Sequence, residues 1–173
     1  MNMKKFVISL ATMCFLSVSL AFAQVHIPYD QFQLGGLHLG NAKSYVHSVY
    51  GTPTTTSTKY TNTRYGNTRI TYTETYGNSV DVDYTGIVGR FPITDSSGVF
   101  SVTVTANNGW STYHGATVGM KEKELRTTYG NPTDVFKKNG ITYYQYVGYH
   151  CLAYYVFGIK NGKVVSIMMT GDE

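Results

Sequence analysis

The residues of this chain that are best suited to chemistry are few and scattered. Asp81 and Asp83 form an Asp-x-Asp pair, a spacing that can hold a divalent cation. Valines and a tyrosine alternate with these aspartates, which is typical of a strand with solvent-facing carboxylates. The five histidines show no spacing characteristic of metal ligands. The sequence therefore predicts no metal site and no cofactor.

Nucleophilic chemistry has little support in the sequence. Cys151 lies in the apolar stretch CLAYYVF, which favours a small buried hydrophobic residue over a reactive thiol. The chain contains no CxxC, HExxH, GxSxG or P-loop pattern. We therefore expect a protein that is not an enzyme. The alternative is a small hydrolase in which the fold brings a histidine and a carboxylate together beside a nucleophile.

The N-terminus has the three-part pattern of a secretory signal peptide. Lys4 and Lys5 precede an apolar run, which ends in the small-residue pattern of Ala21 and Ala23. The pattern predicts a signal peptide over residues 1–23, with cleavage before Gln24. We expect a secreted or periplasmic protein with no membrane span in its mature form. Residues 24–33 are predicted to form an N-terminal arm.

The charge of the chain bears on the class of partner. Fourteen basic and ten acidic side chains give a formal net charge of +4. Phosphate backbones are bound through clusters of lysine and arginine, and the sequence has no basic stripe of that kind. We therefore expect no nucleic-acid partner.

Two similar segments, SVYGTPT at 48–54 and TTYGNPT at 127–133, indicate how the chain is organised. Apolar residues at helical spacing precede each segment. Gly51 and Gly130 supply the residue that ends a helix, and a proline two positions later prevents the helix from restarting. Each segment therefore predicts the end of a short amphipathic helix.

Alternating residues rich in valine, isoleucine, threonine and tyrosine follow each helix and predict strands. The runs at 69–85 and 140–156 align with each other, and a last strand follows at 99–106 and at 163–170. We therefore predict an α+β fold of two tandem repeats, residues 34–111 and 112–173. Each repeat is a short helix followed by three or more antiparallel strands, with the helices packed on one face of the sheet.

The string TVGMKEKELRTTYGNP at 117–132 resembles the helix opening of two bacterial exported groups. These are the beta-lactamase inhibitory proteins and the SmpA-type outer-membrane assembly lipoproteins. The resemblance implies a tandem helix-plus-sheet architecture and a tendency to bind proteins through an aromatic-rich sheet face. The expected partner is then another protein, either an extracytoplasmic enzyme or an envelope component.

Strand alternation separates the two faces of each predicted sheet. In the first repeat one face is rich in threonine and aspartate, which suits water. In the second repeat we align Ile141 with Ile70, which puts Ile141, Tyr143, Cys151, Ala153 and Tyr155 under the helix. The opposite face is then aromatic, which predicts that a partner binds there. The predicted protein-binding residues on that face are Tyr144, Tyr146, Leu152, Tyr154 and Val156.

Three alternatives stay open for this aromatic face. The N-terminal arm or the long segment before the last strand of the first repeat could cover it. The face could serve an envelope scaffold with no soluble target, or stack on a sugar. The sequence leaves the oligomeric state open.

Overall fold

The computed structural model describes residues 27–171, so the predicted signal peptide and the start of the predicted arm lie outside the described residues. Within this range the chain forms one 3-10 helix, two α-helices and ten strands. In chain order these are the 3-10 helix (Tyr29–Gln31), β1 (Gln33–Leu34), β2 (Leu37–His38), α1 (Lys43–Tyr50), β3 (Thr55–Asn62), β4 (Thr68–Tyr76), β5 (Val80–Ile87), β6 (Val99–Val104), α2 (Glu122–Tyr129), β7 (Asp134–Lys138), β8 (Ile141–Val147), β9 (Ala153–Lys160) and β10 (Lys163–Gly171).

Strands β3 to β10 form one eight-stranded antiparallel sheet in the order β3-β4-β5-β6-β10-β9-β8-β7. We call β3–β6 the first half of the sheet and β7–β10 the second half. The halves meet where β6 pairs with β10, with Val104 opposite Ile167. Strands β1 and β2 form a separate two-stranded ribbon.

The predicted fold class, α+β with two tandem helix-plus-sheet repeats, is wrong. The described residues are mostly β, with a single eight-stranded sheet, a small two-stranded sheet and only two helices of eight residues each. The sequence patterns identify strands one at a time, because alternation reports which residues share a face of one strand. They do not encode the distant pairing of β6 with β10, which joins all eight strands into one sheet.

Both helices end at the predicted stop signals. Gly51 follows α1 with φ of 77°, and Gly130 follows α2 with φ of 71°. These values lie in the left-handed region that favours glycine. Helices of eight residues are marginal in isolation, so each depends on the side chains that it buries. These side chains are Val46 in α1 and Leu125 and Tyr129 in α2.

The described N-terminal residues pack on the same face of the sheet as the helices. The Phe32 ring stacks on the Tyr155 ring of β9 with the centroids 4.8 Å apart. The Tyr155 hydroxyl lies 2.7 Å from the Gln33 carbonyl oxygen and 3.1 Å from the Gln31 carbonyl oxygen. Tyr155 is fully buried by these contacts. The N-terminal segment therefore seals the core on the helix side.

The hydrophobic core lies between this face of the sheet and the layer made by the helices and the N-terminal segment. Its largest fully buried side chains include four tyrosines, two phenylalanines and several aliphatic residues. The tyrosines are Tyr84, Tyr129, Tyr146 and Tyr155. Because one face of the sheet carries the core, the opposite face is the one whose exposure has to be explained.

Candidate functional site

We call the sheet face opposite α1 and α2 the open face. Residues that pair across neighbouring antiparallel strands point to the same face, so the register assigns each side chain to a face. In the second half of the sheet, Tyr155 and Phe157 are buried on the helix side. Tyr154 and Val156 alternate with them along β9 and therefore belong to the open face.

The prediction that Tyr144 and Tyr146 lie on the open face is wrong. Tyr146 is 1% exposed, and its ring lies 5.3 Å from the Tyr129 ring of α2. The Tyr144 hydroxyl donates to the Glu122 carboxyl group of α2 at 2.6 Å. Burial, followed by the hydrogen bond and the charge of Glu122, raises the pKa of Tyr144. Both tyrosines therefore hold α2 against the sheet.

The error comes from a shift of one residue in the alignment of β8 with β4. The Thr54 N–H donates to the Thr75 carbonyl, and the Thr133 N–H donates to the Gln145 carbonyl, both at 2.7 Å. Gln145 thus takes the place of Thr75, whereas the alignment of Ile141 with Ile70 put Tyr146 there. A shift of one residue moves every side chain of a strand to the other face. Ile141 and Tyr143, assigned above to the helix side, consequently lie on the open face.

The three other predicted binding residues fall into different places. Tyr154 and Val156 are on the open face, opposite Thr170 and Met168 of β10. Leu152 lies in the connection between β8 and β9 and is 74% exposed. Val156 is only 6% exposed, because larger neighbours on the same face surround it. It forms a floor, and the side chains around it form the accessible surface.

The structure brings together a larger group of apolar side chains on the open face of the second half. Tyr143 of β8 pairs with Phe136 of β7, and their rings stack with centroids 5.1 Å apart and an interplanar angle of 12°. Met168 of β10 pairs with Val156 of β9. We call this group the apolar patch; its members are Phe136, Ile141, Tyr143, Tyr154, Val156 and Met168.

Sequence reasoning missed Phe136, Ile141, Tyr143 and Met168 as members of this site. The threonine that follows each helix stop, Thr54 or Thr133, marks equivalent positions in the two halves. The Thr133 side chain accepts from the Val147 N–H at 3.2 Å, just as the Thr54 side chain accepts from the Gly77 N–H at 2.9 Å. Anchoring the alignment on Val147 and Gly77 would have given the correct face.

An open groove runs along the apolar patch. Its volume is about 600 Å³, and its lining includes Ile141, Tyr143, Val156 and Met168. A second hollow of about 490 Å³ adjoins it at the end of the sheet. The two hollows share lining residues, among them Lys160. The patch is therefore a concave surface with a cationic end.

The segments that could have covered the apolar patch lie on the other face. The described part of the predicted arm contacts Tyr155 on the helix side. The segment between β5 and β6 contacts the start of α1, where the Lys43 N–H donates to the Ser97 carbonyl at 2.9 Å. Among residues 27–171, neither segment closes the apolar patch.

The open face of the first half is polar. The Thr73 hydroxyl donates to Asp83 at 2.6 Å, and the Thr75 hydroxyl donates to Asp81 at 2.7 Å. Burial raises the pKa of Asp83, the hydrogen bond from Thr73 opposes this, and the charge of Asp81 adds to the rise. The two aspartates are thus partnered by threonines of the neighbouring strand. In the described part of the chain, no three His, Cys, Asp or Glu side chains are grouped so as to hold a metal ion.

A second cluster of titratable groups lies under α1, on the helix side of the first half. Glu74 of β4 is fully buried, and its Oε1 lies 2.8 Å from His47 Nε2. The hydroxyls of Tyr76 and Tyr84 donate to Glu74 Oε2 at 3.1 and 3.3 Å. Burial, and then the charge of Glu74, raises the pKa of both tyrosines. The carboxyl group therefore links the helix to two strands.

Lys43 completes this cluster at the surface. Its ammonium lies 3.8 Å from Glu74 Oε1 and 2.9 Å from Asp95 Oδ1. The hydrogen bond to Asp95 raises the pKa of Lys43 and lowers that of Asp95. The cluster supplies the histidine and carboxylate that the hydrolase alternative needs. Within residues 27–171, however, no serine, threonine or cysteine side chain is hydrogen-bonded to His47.

No family model matches the chain, and no curated protein is detectably similar to it. One similar solved structure is a DUF4309 family protein, YjgB, from Bacillus subtilis subsp. subtilis str. 168. It is 11% identical, with a TM-score of 0.47, over 79% of this chain and 83% of that chain.

Another similar structure is an extracellular protein containing a SCP domain from Bacillus anthracis str. Ames. It is 9% identical, with a TM-score of 0.45, over 78% of this chain and 44% of that chain. Neither structure is described as a beta-lactamase inhibitory protein or an SmpA-type lipoprotein. In the described range, neither helix is long and apolar enough to cross a membrane.

Proposed function

We propose that this chain is an exported binding protein without enzymatic activity, and that its partner is another protein held on the apolar patch. The observation that carries the proposal is the position of the patch. An antiparallel sheet with helices on one side normally presents a polar opposite face, as the first half of this sheet does. Contiguous apolar side chains on such a face mark interaction sites in many proteins.

The composition of the patch supports a protein partner. Tyrosine, phenylalanine and methionine are enriched at the centres of protein interfaces, because they bring large contact areas. Phe136 is 41% exposed, and its stacked neighbour Tyr143 is half-buried, so both rings are held in place before a partner binds. Rigid rings lose little conformational entropy on binding. Export rests on the predicted signal peptide, and an extracytoplasmic enzyme or an envelope component remains the proposed partner.

Site-specific crosslinking in the intact producing cell tests this proposal. A photo-crosslinking phenylalanine analogue is placed at Tyr143, and in a matched variant at Tyr60. Tyr60 is an exposed tyrosine of β3, in the first half. We expect a defined protein adduct from position 143 and none from position 60. The same adduct from both positions, or none from position 143, would contradict the proposal.

Affinity for the captured protein then tests the patch itself. Replacing Phe136 and Tyr143 by serine should weaken binding by about 100-fold, because truncated anchor residues at the centre of an interface cost about 2 kcal/mol or more. The control replaces the exposed Tyr60 and Tyr65 by serine and should leave the Kd unchanged. Circular dichroism confirms that both double variants are folded. The location of the adduct, in a fixed envelope assembly or in a freely diffusing complex, separates the scaffold alternative from a soluble target.

The hydrolase alternative rests on the contact between His47 and Glu74. Its test is the hydrolysis of ester and peptide substrates by the unchanged protein and by His47→Gln. Turnover that is lost in the variant would favour the enzyme, and equal background rates in both would favour the binding protein.

A further inference from the structure

The floor of the groove is shaped by a glycine on β9. A Cβ atom added to Gly158 would lie 2.3 Å from the Ser166 Oγ and 3.4 Å from the Tyr143 ring. Gly158 is therefore closely covered by Ser166, Ile141 and Tyr143, which leave no room for a side chain at this position. Beside these residues the groove is lined by Val156 and Met168. The volume and apolar lining of the groove suit one large apolar side chain.

Lysines occupy the end of the groove. Lys138 pairs with Ile141, and Lys160 pairs with Lys163, so all four side chains belong to the open face. We call Lys138, Lys160 and Lys163 the lysine row. Lys160 lines both hollows, and Lys163 lines the outer one.

The positive charge of the lysine row is not compensated within the described chain. Lys43 is the only lysine in residues 27–171 whose ammonium lies within 4.0 Å of a carboxylate. Lys160 and Lys163 face each other directly across β9 and β10, and like charges in such a pair repel. On the open face, Asp81 and Asp83 of β5 accept from threonines of β4. Asp134 of β7 also belongs to the open face, since it pairs with Gln145, and it accepts from the Val135 N–H. None of these aspartates lies within 4.0 Å of an ammonium of the lysine row, so an anionic ligand would meet unpaired lysines there.

We propose that the groove binds an acidic, apolar peptide segment of the partner, with a large apolar side chain over Val156 and Met168 and a neighbouring carboxylate on Lys160 and Lys163. This inference rests on the proposed function and names the chemistry of the partner. Apolar and anionic groups must be adjacent in the ligand, because the apolar lining of the groove and the lysine row are adjacent. Charge complementarity of this kind gives specificity and speeds association.

Titration of the purified protein with short peptides tests the inference. The probe is the capped peptide Gly-Phe-Asp-Glu-Phe-Gly, and its neutral analogue carries Asn-Gln in place of Asp-Glu. Heteronuclear NMR of the Met168 methyl group and the Gly158 amide reports binding. We expect both signals to shift with the acidic peptide, and the neutral analogue to bind about tenfold more weakly, the loss of two exposed ion pairs. Raising the salt from about 50 to about 500 mM should reduce the difference.

Variants of the groove separate the apolar part of the inference from the charged part. Lys160→Gln with Lys163→Gln should abolish the preference for the acidic peptide and leave the neutral analogue unaffected. Gly158→Ala should weaken the binding of both peptides. Gly140→Ala is not a matched control, because Gly140 has φ of 75°, where alanine is strained. The better control is Thr71→Ala, on the open face of β4 in the first half.

The outcomes distinguish this inference from the proposed function. Equal binding of both peptides, or no shift at Met168 with either, would overturn the acidic-peptide assignment. A crosslink from position 143 would still support protein binding in that case. Groove signals that respond to phosphatidylglycerol vesicles and to neither peptide would assign the lysine row to an anionic lipid surface and overturn the inference.

Discussion

The two halves of the sheet differ in the polarity of both faces. In the first half, a carboxyl group is buried under α1 and the open face carries threonines and aspartates. In the second half, aromatic rings fill the space under α2 and the open face carries the apolar patch. The two halves share strand order and helix position. The backbone architecture therefore does not determine which face of the sheet is polar.

The contacts of the two helices show how this difference arises. Tyr144 takes the place that Glu74 has in the first half, on the helix side of the second strand. Glu74 meets His47 of α1, whereas Tyr144 donates to Glu122 of α2. The acidic residue of this contact is Glu74 on the strand in the first half and Glu122 on the helix in the second half. The second half buries three aromatic rings of the sheet, Tyr146, Tyr155 and Phe157, against Tyr129 of the helix.

The largest expected effect concerns the aromatic contact of α2. Tyr129 is fully buried, and its ring contacts Tyr146, Tyr155 and Phe157. Replacing it by alanine leaves a large cavity and should reduce the free energy of unfolding by about 4 kcal/mol. Urea unfolding followed by circular dichroism measures the loss.

The matched variant is Tyr50→Ala, at the same position of α1. Tyr50 is half-buried and contacts Tyr76 and Trp110, so we expect about half the loss seen for Tyr129. Equal losses in the two variants would show that the aromatic cluster is not specific to the second half.

The next effect concerns the charged contact of α1. Replacing His47 by leucine removes the 2.8 Å hydrogen bond to the buried Glu74 carboxyl group and should cost about 3 kcal/mol. The double replacement of His47 and Glu74 by leucine removes the buried carboxyl group but leaves the Tyr84 hydroxyl without its acceptor, so we expect it to recover only about half of the loss. Ser44→Ala, an exposed change in the same helix, serves as the control. A single variant as stable as the control would mean that the pair contributes nothing.

Much of the local structure could be predicted from the sequence, since it depends on short-range chemistry. The helix ends at Gly51 and Gly130 follow from glycine and proline preferences, and the structure confirms them. The strands around 69–85, 99–106 and 163–170 follow from alternation and are also present. The single sheet could not be predicted in this way, because the pairing of β6 with β10 depends on contacts between distant residues.

The site was harder to predict than the fold, because membership of a face changes with one residue of register. Tyr154 and Val156 were assigned correctly to the open face, since β9 continues the alternation of Tyr155 and Phe157. Tyr144 and Tyr146 were assigned to the wrong face, since the connection between β8 and β9 is longer than the one between β4 and β5. Apolar residues occur on both faces of β8, so composition could not reveal the error.

The smallest effect concerns the polar open face of the first half and depends on pH. Burial raises the pKa of Asp83 above its unfolded value, so the folded state holds the proton more tightly than the unfolded state does. Stability therefore falls as the pH rises from the ordinary aspartate pKa of about 3.9 through the raised value, and stays lower above it. Asp83→Asn keeps an oxygen that accepts from Thr73 and removes the charge.

We expect Asp83→Asn to be more stable than the unchanged protein at neutral pH, by no more than about 1 kcal/mol. The advantage should disappear below the ordinary aspartate pKa, where both proteins carry a neutral side chain. Urea unfolding at a series of pH values measures the difference. Asp134→Asn, at an exposed position of β7, controls for the loss of a charge alone. If Asp83→Asn lost stability at neutral pH, the charged form of Asp83 would be a favourable part of the open face, and the polar first half would owe its stability to these aspartates.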